Sequence, residues 1–174
     1  DAIKYAAKND VLIVHAAGND AKDLDELNNE NYPNDQYLGK NEFSDNFISV
    51  GASSIEFNEN IIAVFSNYGL KNVDIFAPGN SVYSLMPDNE YAYQSGTSMA
   101  APSLTGVASM VLSYFPKLSA SKLKEIILES GLGINLSVKI PGKDGETDFK
   151  SLSKAGKIVN AYNALILASK SKRK

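Results

Sequence analysis

The apolar positions of this chain follow two periods. Val11–Val14 and Phe47–Ser53 are continuous apolar runs, the pattern of strands buried on both faces in a parallel sheet. Val73–Gly79 is a shorter run stopped by Pro78-Gly79, and Ile61–Gly69 reads as a further extended piece ending in a turn. Ser81–Met86 alternates weakly, as an edge or hairpin strand does. Elsewhere helical spacing takes over. Ile3, Ala6 and Ala7 share one face of an opening amphipathic helix. Leu104, Val107, Ala108, Val111, Leu112 and Phe115 form a wide stripe that predicts a central, buried helix ended by Pro116. Ser119 is placed to cap a second helix carrying Leu123, Ile126 and Ile127, closed by Gly131. Asp144-Gly145 signals a hairpin, and a last helix is expected over Ala155–Ala168. Residues 20–45 are polar and read as a long surface loop with one short element at most.

Strands and helices interleave, so the expected class is α/β: a mainly parallel sheet flanked by helices, with a small antiparallel addition. Parallel strands need crossover connections, yet the opening helix has no strand before it. The chain therefore reads as incomplete, its opening helix crossing over from something that is missing. Residues 171–174 read as a basic tail. A hydrophobic content of 44% describes a globular chain. The net charge of -3 gives no general pull toward nucleic acid or anionic membrane. There is no cysteine, hence no disulfide framework or thiolate metal site. No apolar run approaches the roughly 20 residues of a membrane span.

The stretch "QSGTSMAAPSLTGVASMVL", Gln94–Leu112, raises a chemical question. Ser98 stands where a helix begins, at the positive end of its dipole and beside free backbone N–H groups. Both would stabilise an oxyanion formed there. Pro102 is expected in about the first turn, where its missing N–H does no harm. The helix pattern taken alone favours a simpler role, with Ser98 or Thr97 serving only as an N-cap.

The strings themselves shift that balance. "GTSMAAP" resembles the nucleophile motif of the subtilisin-like serine proteases (subtilases). "VLIVHAAGND", "NYP", "NFISVGAS", "AVFSNYG" and "VDIFAPG" are similar to that family's motifs and stand in its order, over roughly Asp1–Gly131. The resemblance implies a subtilisin-like α/β fold, incomplete because its N-terminal half is missing, with residues 1–170 the C-terminal part of a subtilase catalytic domain. It also implies acyl-enzyme chemistry on polypeptides. Ser98 matches the nucleophile. Asn19 matches the oxyanion-hole side chain, donating together with the Ser98 N–H. Ala16, Ala17 and Gly18 match one wall of the S1 pocket, where small residues would leave room for a sizeable apolar side chain. The proline of "NYP" is often cis in the family.

Triad chemistry also needs a histidine and an orienting carboxylate. In subtilase order both precede the asparagine, so they would lie upstream of Asp1. The one histidine, His15, sits within the "VLIVHAAG" strand, where a packed, hydrogen-bonded ring is expected rather than a base. Asp10, Asp20 and Asp74 match no triad acid, and Asp74 matches a structural position. The chain alone is thus expected to be inactive, its partner being the missing N-terminal half. The exposed sheet edge would also permit a dimer. No cofactor is required for the chemistry and no metal site is assigned. Calcium suits oxygen-rich loops such as "NDAKDLDELNNENYPND", but the spacing matches no compact calcium motif, and a solvated loop is the preferred reading. The family suggests a secreted or cell-envelope location. The alternative function is a non-catalytic protein-binding module derived from a subtilase. A lipase-like reading fails for want of a Gly-x-Ser-x-Gly elbow and a later histidine.

Overall fold

The computed structural model describes residues 1–36 and 41–171; the end of the expected basic tail, 172–174, lies outside them. In chain order the first elements are α1 (Ala2–Lys8), β1 (Ile13–Ala16), β2 (Phe47–Ser53), β3 (Ile75–Pro78), β4 (Val82–Met86) and β5 (Glu90–Gln94). There follow α2 (Thr97–Tyr114), α3 (Ala120–Ser130), β6 (Leu132–Gly133), β7 (Ser137–Lys139), β8 (Glu146–Asp148), β9 (Lys157–Ile158) and α4 (Ala161–Ser171).

One sheet runs β1-β2-β3-β9-β6, parallel from β1 to β9, with β6 antiparallel at its far end. The fold is therefore α/β with a mostly parallel sheet, as the apolar runs required. All seven residues of β2 are buried, because both faces are covered. Ile48, Val50, Ala52, Ile75 and Ala77 pack with Leu104, Ala108 and Val111 of α2 and with residues of α3 and α4. On the opposite face Phe76 joins Ile61, Ile62, Val138 and Phe149 in a second cluster. The alternation along β3 follows from the period of two along a strand. Ser119 caps α3 as expected, its hydroxyl accepting from Lys122 N at 3.2 Å. β7 and β8 form the hairpin marked by Asp144-Gly145.

Four expectations change. Ile61–Gly69 is not a strand: it makes only isolated bridges, Ile62 to Ser53, Tyr68 to Asp23 and Gly69 to Ser153. Ser66 Oγ accepts from Ala52 N at 2.9 Å and donates to Asn67 O at 2.9 Å, so side chains capture the backbone that a ladder would need. Ser81–Met86 does enter a hairpin, paired antiparallel with β5, a strand that the apolar pattern does not mark. The last helix begins at Ala161 rather than Ala155. Gly156 takes a left-handed turn at φ +58°, β9 follows it, and Asn160 Oδ1 accepts from Asn163 N at 2.9 Å. Finally, α2 is buried along one stripe only, with Met110 and Tyr114 exposed.

Candidate active site

The parallel strands deliver their following turns to one end of the sheet, where ligand crevices of open α/β sheets form. Gly18-Asn19 follows β1 and Gly79 follows β3. Gly96 N donates to Gly79 O at 2.8 Å, which seats the start of α2 on the end of β3. Gly79 is needed for that approach: a Cβ there would lie 2.8 Å from Gly96 O and 2.7 Å from the Ala52 Cβ.

Ser98 is the second residue of α2 and is exposed. The N-cap position belongs to Gly96, with no side-chain cap. This overturns the cap reading for both hydroxyls: Ser98 is not at the cap, and Thr97 is turned to other work. Pro102 also lies deeper than expected, at the sixth helical position, so its missing N–H leaves the Ser98 carbonyl without a helical donor.

Thr97 is fully buried and ties Asn19 to the helix. Asn19 Oδ1 accepts from Thr97 N at 2.8 Å and from Thr97 Oγ1 at 3.0 Å, and the same hydroxyl accepts from Gly18 N at 3.0 Å. Because a backbone N–H can only donate, this pairing fixes which end of the Asn19 amide is oxygen. The NH₂ end is turned toward Gly96. A Cβ placed on Gly96 would lie 3.5 Å from Asn19 Nδ2 and 3.6 Å from Ser98 N. Two donors thus border one small space beside the serine. Ser98 N lies within the first turn of α2, where N–H groups have no acceptor in their own helix.

Of the small residues before Asn19, Ala16 and Gly18 keep partial exposure, whereas Ala17 is fully buried. Asn31 Nδ2 donates to Ala17 O at 2.6 Å, so residues 16–18, expected to form one wall of the S1 pocket, carry a polar neighbour that the sequence did not reveal. Asn67 is likewise a residue that sequence reasoning missed. Its amide bonds the same turn from the other side. Both lie in strings quoted above, but their contacts join distant parts of the chain. The Tyr32-Pro33 bond is cis.

His15 stays apart from the serine. It is partly buried on β1, its ring 5.5 Å from that of Phe47. Burial lowers its pKa from the usual 6.5, and a hydrogen bond with the Tyr32 backbone acts in the opposite direction. A cavity of ≈ 570 Å³ adjoins His15, Phe47 and the 24–36 loop, and neither Ser98 nor Asn19 lines it. Asp74 serves the fold: its Oδ2 accepts from Ser49 N at 2.7 Å. Among the described residues no group of three or more His, Asp and Glu is arranged to hold a metal ion. No helix among them is long and apolar enough to cross a membrane.

Fold and site define a class: an open, mostly parallel α/β sheet with a helix-start serine beside a backbone N–H and an asparagine amide. A model of the Subtilase family matches residues 1–157, and the chain belongs to that family. Subtilisin DY of Bacillus licheniformis is 38% identical over 123 residues, which is 71% of this chain and 40% of that protein. The major intracellular serine protease of Bacillus subtilis (strain 168) is 38% identical over 126 residues, 72% of this chain and 35% of that protein. The solved structure of a lanthipeptide protease is 27% identical at a TM-score of 0.69, covering 95% of this chain and 53% of that one. The self-cleaved protease domain of PatA, at 23% identity and a TM-score of 0.69, shares the fold over 97% of this chain and 54% of its own. The chain thus spans 35% to 40% of these two relatives' length and about half of these two solved chains.

Proposed function

We propose that this chain carries the nucleophilic half of a serine endopeptidase active site. Ser98 Oγ attacks the scissile carbonyl and forms an acyl-enzyme. Asn19 Nδ2 and Ser98 N–H donate to the tetrahedral oxyanion. The observation that carries this reading is the shared space beside Gly96, bordered by both donors. Donors held in place before reaction stabilise developing charge without reorganisation. Ala16 and Gly18 border the substrate, and Ala17 contributes its backbone to the same wall.

The general base and its orienting acid come from polypeptide preceding Asp1. His15 is half-buried, held against Phe47 and depressed in pKa. The edge position of β1 and the open face of α2, with Met110 and Tyr114 exposed, suit the docking of that further half. The same edge could instead pair two copies of the chain. Relatives carry both addresses in their names, a cell wall-associated protease and an intracellular one, both of Bacillus subtilis (strain 168). A secreted or cell-envelope placement is the one we propose.

The test is fluorophosphonate labelling read by intact mass. The full-length gene product and the 174-residue chain are each run beside Ser98→Ala. One label on the full-length product, lost in Ser98→Ala, and none on the shorter chain is the expected result. A full-length product that stays unlabelled refutes the nucleophile assignment. Rapid labelling of the shorter chain refutes the external base.

A further inference from the structure

We infer that Asn67 is a positioning residue for the oxyanion hole, acting through Asn19; this rests on the assignment of Ser98 and Asn19 above. Asn67 is 3% exposed and lies 48 positions along the chain from Asn19. Its Oδ1 accepts from Asp20 N at 3.1 Å and from Lys22 N at 2.9 Å. Its Nδ2 donates to Ala17 O at 2.8 Å, and its backbone N donates to Gly18 O at 2.9 Å. One residue therefore holds the chain on both sides of Asn19 while hydrogen-bonding to neither Asn19 nor Ser98.

The chemistry of the side chain explains the choice. The turn offers N–H groups on one side of Asn19 and a carbonyl on the other. An amide presents an acceptor and a donor in a single plane and satisfies both. An aspartate would keep the acceptor and set a second oxygen against the Ala17 carbonyl. The amide also sits where a side chain on residue 18 would go. A Cβ on Gly18, whose φ is +100°, would lie 2.5 Å from Asn67 Nδ2. The glycine of Ala-Gly-Asn is thus part of the same arrangement.

Two anchors with separate tasks result. Thr97 holds the oxygen end of the Asn19 side chain, and Asn67 holds the backbone from which that side chain springs. With Thr97 alone, Asn19 could pivot about its oxygen and carry Nδ2 away from the space beside Gly96. Oxyanion donors lose effect steeply when misplaced.

The experiment has an activity arm and a structural arm. In the full-length product, Asn67→Asp, Asn19→Ala and the double variant are compared in peptide hydrolysis. One oxyanion donor is worth about 10²–10³ in kcat, a magnitude known from subtilisin itself. Asn67→Asp is expected to lower kcat by roughly 10- to 100-fold with KM nearly unchanged, and the double variant to be no slower than Asn19→Ala. An unchanged kcat, or losses that multiply in the double variant, overturns the inference. In the 174-residue chain, NMR follows the Asn19 side-chain NH₂ signals, which should move in Asn67→Asp; unmoved signals overturn the inference. Should that variant fail to fold, hydrogen exchange in the unsubstituted chain decides. Protected amides at Asp20 and Lys22, on an exposed turn, are expected, and rapid exchange there overturns it. A full-length product without peptidase activity sinks the Ser98 reading and leaves the NMR arm to judge Asn67.

Discussion

Replacing Asp35 by asparagine should stabilise the chain above neutral pH and leave it nearly unchanged near pH 4. Asp35 is buried, and its Oδ2 has no hydrogen-bond partner among the described residues. Around it stand the carboxylates of Glu42 and Asp74 and the ammonium groups of Lys124 and Lys154. Lys124 Nζ is 3.4 Å from Asp74 Oδ1 and 3.5 Å from Glu42 Oε2, and Lys154 Nζ is 2.5 Å from Glu42 Oε1. Both cations are therefore engaged by other carboxylates. Burial first, and then Glu42, raise the Asp35 pKa from the usual 3.8 to about 6, with Lys124 pulling the other way. Between these values the folded chain keeps a proton that the unfolded chain releases, so stability falls as pH rises from about 4 to about 6 and stays lowered above that. A difference of about two pH units corresponds to about 3 kcal/mol at most. Asparagine, uncharged throughout, escapes the loss. Asp74 is raised by burial as well, so the comparison is made between the two proteins at each pH. Urea unfolding at pH 4 and pH 8, followed through the nine tyrosines of a chain without tryptophan, measures it. A variant no more stable than the parent at pH 8, or equally favoured at both pH values, would refute the reasoning.

Thr97→Val keeps the shape of a fully buried side chain and removes the hydroxyl that accepts from Gly18 N and donates to Asn19 Oδ1. The stranded Gly18 N–H should cost about 1–3 kcal/mol in urea unfolding, and a loss under about 0.5 would show that water or a rearranged turn repairs the site. His15 should titrate below 6.5 when its ring protons are followed by NMR, since burial outweighs the bond with the Tyr32 backbone. The folded chain then holds that proton less tightly than the unfolded one, so stability declines as pH drops through 6.5; a midpoint at or above 6.5 would contradict this.

What could be read in the sequence is what short strings encode. Continuous apolar runs located β2 and β3, because strands buried on both faces carry no polar alternation. Val11–Val14 marked β1 only in part, since that strand is Ile13–Ala16, half-buried at the edge of the sheet. The stripe from Leu104 to Phe115 located α2, and "GTSMAAP" with "AAGND" located Ser98 and Asn19. What escaped depends on partners far away in the chain. β9 has two residues and exists because Val159 N finds Phe76 O and Phe76 pairs with Ile158. β5 shows no apolar run because its tyrosines, Tyr91 and Tyr93, lie outside the core, their rings 5.6 and 4.9 Å from that of Tyr83 on β4. Thr97 read as a cap residue by its position, and only the fold reveals that Asn19 has claimed its hydroxyl.

That last contact joins folding to chemistry. On the proposed reading, the hydrogen bonds that order residues 17–22 also aim the Asn19 amide at the serine. A weakened turn would then lower stability and misplace an oxyanion donor at once, and no single substitution there separates the two effects. Thr97→Val and Asn67→Asp strike the turn from opposite sides, through bonds that share no atom. If the two anchors hold one object, the loss of either frees Asn19, and the second loss adds little to kcat while still adding to the cost in stability. If each merely supports its own neighbourhood, the losses in kcat multiply. The two patterns differ even where every single variant is slow, because what distinguishes them is the coupling between sites and not the size of any one effect.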